Sequence, residues 1–239
     1  MPPSESAVAS APEPVVSLDD PRAVQILATE HWSLLASRSL AYNEAFTRGG
    51  MFLTFLSMSF VALALFSSAM SFGNDFLIVA AVLLAFDVVL GLATYGRIAA
   101  ANVDDLRALH GMARVRHSYT QIAPVVEPYF TTATHDDLAS VLTAYGTLPS
   151  TKVGEIGYAL TTSGGMIGLI TAMVGGVFAA VLGLIFGIPG AIAIWIGLAA
   201  GVLVFGALVA LTFGAVTGGQ ETIRSRFPAP QGEDPATHQ

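Results

Sequence analysis

Charge is scarce in this chain and cysteine is missing altogether. Asp, Glu, Lys and Arg make up 11% of the 239 residues, against about 25% in an ordinary soluble domain, a deficit that excludes most soluble folds. Without cysteine there is no disulfide, no thiolate metal site and no cysteine nucleophile. No Lys or Arg falls within Met1–Leu18, so the start of the chain lacks the basic-then-apolar order of a secretory signal, and insertion into a membrane rests on internal segments. A phosphate loop, a dinucleotide fingerprint, a nucleophile elbow and an HExxH motif are absent too. The formal charge of -7 arises almost entirely outside the apolar runs and carries no binding signal.

What the chain has in quantity is apolar surface, with 54% of its residues hydrophobic. Four runs, at about 50–71, 76–96, 164–187 and 191–217, are each near or above the ~20 residues that cross a ~30 Å hydrocarbon core. They pair across turns at Phe72-Gly73-Asn74-Asp75 and Gly187-Ile188-Pro189-Gly190. The expected fold is all-α and integral to the membrane: four transmembrane helices in two hairpins, with amphipathic cytoplasmic helices. The chain divides into a disordered tail at 1–19, a cytoplasmic amphipathic helix at 20–48, a first transmembrane hairpin at 50–96, and a cytoplasmic helix and loop at 97–163. A glycine-rich second hairpin at 164–217 and a cytoplasmic tail at 218–239 complete it.

All ten basic residues (Arg22, Arg38, Arg48, Arg97, Arg107, Arg114, Arg116, Lys152, Arg224 and Arg226) fall on one side of this arrangement, and the two short turns hold none. The positive-inside rule then predicts a multi-pass protein of the cell (inner) membrane with both termini cytoplasmic. Outside the bilayer, Asp20-Pro21 supplies an N-cap and first-position proline, and Gly49-Gly50 interrupts the helix at the membrane. Leu27, His31, Leu34, Leu35, Arg38 and Tyr42 share one broad face of that helix, to lie along the membrane or against a neighbour. Val103, Leu106, Leu109, Ala113 and Val115 through Ile122 predict a second helix leaving the bilayer. The stretch 128–152 reads as a loop with one short helix from Asp136 to Ala144, and the proline-bearing end from Phe227 to Gln239 reads as disordered.

Asp87 stands almost at the midpoint of the second run, with no basic residue in any run to pair with it. An ionised carboxylate there costs about 2.5–3.5 kcal/mol on insertion scales, so the group is either protonated or solvated by a polar cavity. Ala80, Leu84, Gly91 and Thr94 share its helical face. In the first run Thr54, Ser57, Val61, Ala64 and Ser68 form a small and polar stripe, and Ser57 to Val61 lie at the depth of Asp87. The candidate ion or proton site is therefore Asp87 with Ser57, Ser59 and Thr94; the plainer reading is an acid hydrogen-bonded to Ser57 or Ser59 as packing glue.

The second hairpin carries ridges of small residues: Gly164, Gly168, Ala172, Gly176 and Ala180 recur every four positions, as do Gly206, Ala210, Gly214 and Gly218, and Gly197 with Gly201 adds a GxxxG. Such ridges let helix backbones approach closely, either between the third and fourth spans or between subunits of a homo-oligomer joined by a glycine zipper. His110, His117 and the His135-Asp136-Asp137 run do not form the tight ligand set of a metal site, so no metal and no cofactor is expected. Asp136-Asp137 suits the start of the short helix that follows. Arg107, Arg114 and Arg116 with Tyr119 read as positive-inside anchoring, with anionic lipid headgroups as the sharper alternative.

Trp32, Arg38, Tyr42 and Asn43 on a cytoplasmic helix, a tight two-helix hairpin, and a charged helix running from Arg97 through Arg114, Arg116 and Tyr119 together resemble the SLATT layout over about residues 20–125. The resemblance implies a bacterial two-span membrane protein of a kind described as pore-forming effectors in nucleotide-signalled defence systems. The glycine-rich second hairpin lies outside it. The functional expectation is a non-enzymatic, self-associating membrane protein, pore-forming or scaffolding, whose partners are the lipid bilayer and its own copies, with no nucleic acid. The alternative is a small proton- or cation-coupled carrier or channel using Asp87. An intramembrane enzyme comes third, for want of any paired acid, base or nucleophile at a common depth.

Overall fold

The computed structural model describes residues 18, 20–70, 72–145, 162–222 and 225–230. Secondary structure within them is entirely helical, and four helices are long and apolar enough to cross a membrane. The first is α1, Pro21–Met70, which begins where the Asp20 carboxylate accepts the Arg22 N–H at 2.9 Å. It runs through Gly49-Gly50 without a break, contrary to the interruption expected there. Two glycines cost a helix about 1 kcal/mol each, but unpaired peptide groups entering hydrocarbon cost more, so the hydrogen-bonded helix prevails. At 1.5 Å per residue its 50 residues extend about 75 Å.

Phe72, at φ 52°, reverses the chain, its ring set edge-on to Phe76. The second helix, α2, then spans Asn74–Ile122 and is nearly as long. A 3-10 turn at Pro124–Tyr129 and the short α3, Leu138–Leu142, follow it. The loop expected over 128–152 lies outside the described residues beyond Tyr145, as do the tails at 1–17 and 231–239. α4, Ser163–Ile185, opens on the Thr162 hydroxyl, which accepts the Gly165 N–H at 3.1 Å. It stops where Gly187 takes a φ of +77°, a left-handed conformation natural to glycine, and the Ile188 N–H donates to the Gly183 carbonyl at 2.9 Å. α5, Gly190–Thr222, completes the set.

The helices pack in chain order, α2 between α1 and α4, and α4 between α2 and α5. Each contact runs antiparallel. Ser59 meets Asp87 and Arg38 meets Asp105 between α1 and α2. Gly168 meets Tyr95 between α4 and α2, and Gly176 meets Gly197 between α4 and α5. One apolar core joins Phe52, Leu56, Leu84, Tyr95, Ile167 and Leu208 within the apolar parts of the helices. A second, smaller one joins Leu106, Leu109 and Ala113 of α2 to Val141 of α3.

Leu34 abuts Gly111 of α2, and the His31 ring lies 6.4 Å from that of Tyr119, so this part of α1 packs on α2. Leu35 and Tyr42, expected on the same face, are exposed. The face of α1 that carries Phe52, Leu56 and Ser59 is buried. The small stripe of Thr54, Ser57, Val61, Ala64 and Ser68 points the other way and is exposed.

Candidate functional site

Asp87 is fully buried where α1, α2 and α4 come together. The Ser59 hydroxyl donates to its Oδ1 at 3.0 Å, and Oδ2 has no hydrogen-bond partner among the described residues. One helical turn on, Gly91 leaves the space filled by Thr171 of α4 and Phe52 of α1; a Cβ there would lie 2.5 Å from Thr171 Oγ1 and 3.1 Å from Phe52 Cζ. Thr171 is itself fully buried and donates to the Ile167 carbonyl of its own helix at 2.7 Å. The acid therefore sits in a close-packed three-helix junction in which Ser59 is its hydrogen-bonding neighbour.

Of the other expected members, Thr94 is buried two turns along α2, on the same face as Asp87. Ser57 does not join them. It is exposed on the opposite side of α1, and its hydroxyl donates to the Leu53 carbonyl at 2.8 Å. Two residues of a helix are 200° apart, so Ser57 and Ser59 cannot serve one site.

The glycines are largely used within the chain. A Cβ on Gly176 would come 2.6 Å from the Gly197 carbonyl oxygen, and one on Gly197 equally close to that of Gly176. Gly201 lies against the Ala172 carbonyl, Gly168 against the Tyr95 ring and Gly164 against Ile98. Gly206 and Gly214 face open space. Tyr95 was not among the expected site residues, yet its hydroxyl donates to the Leu208 carbonyl at 2.9 Å and shares a hydrogen bond with Thr212, tying α2 to α5 across α4. It lies about 80° around α2 from Asp87, so the face drawn through Asp87 does not reach it.

Toward the N-terminal end of α1, the buried Asp105 carboxylate accepts from the Arg38 guanidinium and from the Tyr42 hydroxyl at 3.0 Å. Burial opposes the charge on Arg38, but Asp105 more than compensates and holds the guanidinium above its ordinary value. Glu44 receives both Arg97, at 2.8 Å, and Arg48, at 3.0 Å, beside an open groove of about 330 Å³ lined by Leu40, Ala41, Arg48 and Arg97.

Asp136 anchors the far end of the chain. Its fully buried carboxylate accepts from Arg114 Nε at 2.7 Å, Ser225 Oγ at 2.7 Å, and the N–H groups of Arg226 and Phe227 at 2.9 Å and 2.7 Å. Burial alone would raise its pKa; these donors hold it well below the usual carboxylate range. Asp137, rather than Asp136, caps α3 through Ser140 N at 3.0 Å and also accepts Ala229 N at 3.1 Å. The segment 225–230, expected to belong to a free tail, is thus fastened to the loop before α3. His117 stacks on Phe227 at 4.3 Å and lies 5.8 Å from His135. Among the described residues no three His, Asp or Glu side chains converge as a metal site.

Comparison with known proteins finds no matching family model, no matching curated protein and no matching solved structure. What fold and site define is a helical protein built around four helices fit to span a membrane.

Proposed function

We propose that the chain is a non-enzymatic membrane protein that self-associates in the bilayer and acts as a pore or a scaffold. In this reading it lies in the cell membrane as two hairpins with both termini cytoplasmic, and the portions of α1 and α2 before Gly49 and after Arg97 form a rigid stalk. The SLATT-like layout of residues 20–125 belongs to the same proposal.

The observation that carries it is the outward stripe of α1. Thr54, Ser57, Val61, Ala64 and Ser68 are exposed opposite the face that packs on α2, with large residues such as Phe60 and Leu65 exposed beside them. Thr54 and Ser57 donate to carbonyls of their own helix at 2.9 Å and 2.8 Å, so their hydroxyls are satisfied within α1. Lipid tails pack no better on small polar residues than on leucine, whereas a second helix does. Most of the glycines on α4 are consumed inside the chain, so the subunit contact is assigned to α1 instead of the glycine ridge.

The missing cysteines make the test clean, since Ser57→Cys or Ala64→Cys introduces a unique thiol. Oxidation in native membranes should give a disulfide-linked dimer at these positions and little at Phe60→Cys. Equal crosslinking at all three, or none at any, would sink the proposal. Conductance of the reconstituted protein then separates pore from scaffold.

A second reading is favoured by one specific feature, the partnerless Oδ2 of Asp87. An acid with spare hydrogen-bonding capacity at mid-bilayer depth suits a proton or cation site.

A further inference from the structure

Six arginines of the described residues have acid partners: Arg22 with Asp20, Arg38 with Asp105, Arg48 and Arg97 with Glu44, Arg107 with Asp104 and Arg114 with Asp136. Arg116 is different. It is partly buried between α1 and α2, and no carboxylate among the described residues pairs with it. Of the charges near it, Arg38 is already neutralised by Asp105, and His31 is repelled by Arg116 when it carries a proton. His31 adds a buried Nδ1 with no hydrogen-bond partner among the described residues, and its ring lies 6.4 Å from that of Tyr119, which in turn stacks on Phe130 at 6.5 Å.

A guanidinium taken partly out of water with no carboxylate beside it is unfavourable unless an anion compensates it. The planar fork of arginine matches an oxyanion through two parallel N–H donors, and an imidazole N–H supplies a third. We propose that Arg116 and His31 form a binding site for a phosphate-type oxyanion between α1 and α2.

A lipid headgroup and a soluble phosphate compound share this chemistry, and position separates them. Arg116 lies nineteen residues beyond Arg97, about 28 Å along α2. With the membrane boundary at Arg97, that is too far from the bilayer for a headgroup, so the ligand comes from solution. The site stands apart from the α1 stripe, and either proposal can fail alone.

The test uses the full-length protein in detergent micelles with inorganic phosphate as the probe and chloride of matched ionic strength as the control. About 10 mM phosphate should raise the unfolding midpoint by about 3 °C and broaden the phosphorus NMR line of phosphate. Arg116→Met should abolish both effects and, in chloride, should unfold no earlier than wild type, because it removes an uncompensated charge. Arg116→Lys, which keeps the charge and the fold but loses the fork, should weaken binding about tenfold. Arg107→Met, at an exposed pair, should respond as wild type. A wild type indifferent to phosphate, an undiminished response in Arg116→Lys, or a response that needs phosphatidylglycerol nanodiscs and is absent with free phosphate would overturn the proposal.

Discussion

Asp136 and Phe227 hold each other twice: the Phe227 N–H donates to the Asp136 carboxylate at 2.7 Å, and the Asp136 N–H donates to the Phe227 carbonyl at 3.1 Å. This reciprocal pair makes the segment after α5 part of the folded protein. It also mechanically links the last membrane-length helix to the loop that Arg114 of α2 engages.

Replacing Asp136 by Asn should free that segment, because Asn cannot accept from all of Arg114, Ser225, Arg226 and Phe227 as an ionised carboxylate does. A buried, charge-assisted cluster of this kind contributes about 2–4 kcal/mol to local stability. Amide exchange at Arg226 and Phe227 should accelerate at least about thirtyfold in Asp136→Asn, following from that energy. Unchanged exchange would show that the segment is held otherwise.

The same cluster predicts a pH dependence. The folded carboxyl titrates below its unfolded value, so its stabilising contribution is complete above the ordinary carboxylate pKa of about 4. It is lost as pH falls from there toward the folded value. Protection of the Arg226 and Phe227 amides should therefore be flat from neutral pH to about 5 and decline below about 4. A decline that begins well above that range would instead implicate His117, whose ring stacks on Phe227.

Arg38→Met takes the charged donor away from the buried Asp105 carboxylate and leaves the Tyr42 hydroxyl in place. The expected loss is about 3–5 kcal/mol, and Arg38→Met combined with Asp105→Leu should recover most of it, because an apolar pair replaces a buried ionic one at little net cost. Thermal unfolding of both variants in micelles checks this. A double variant no more stable than Arg38→Met would mean that the pair does more than neutralise itself.

Legibility in the sequence follows the physics of each contact. The four apolar helices are plain in composition, since length and hydropathy alone decide whether a segment fits a bilayer. Which side of α1 faces inward is not, because lipid and protein core are equally apolar; the reading by depth gave Asp87 both Ser57 and Ser59, and helical geometry then leaves only Ser59. Gly49-Gly50 misled for a related reason, as glycine's cost in water is overridden where peptide groups have no water to turn to. Asp136 could be placed at a helix start by local rules, but its true partners, Ser225 to Phe227, lie about ninety positions away, where no local pattern reaches.

The glycines on α4 and α5 differ sharply in what they tolerate. At Gly176 a side chain would strike the Gly197 backbone at 2.6 Å, and backbone cannot swing aside as a side chain does. Gly176→Leu should cost more than the ~1–3 kcal/mol typical of overpacking and abolish monodisperse protein in detergent. At Gly206 the space is open, so Gly206→Leu should shift stability by no more than about 0.5 kcal/mol. If both variants behave alike, α4 and α5 do not meet through the Gly176–Gly197 contact.

Asp87→Asn distinguishes a packed acid from a working one. The amide carbonyl can still accept from Ser59, and the site is filled equally well, so the fold should survive with a change of about 1 kcal/mol or less. If Asp87 serves only to join α1 and α2, reconstituted Asp87→Asn should match wild type in every flux measurement, while Ser59→Ala should unfold earlier. If Asp87 carries protons or cations, saturable and pH-dependent flux should appear in wild type and vanish in Asp87→Asn even though that variant folds. The fully enclosed setting of the acid favours the first outcome, since a transported ion must reach Oδ2 and Thr171, Phe52 and Ser59 pack closely around that junction. Flux lost in Asp87→Asn with stability intact would therefore require these helices to part during transport.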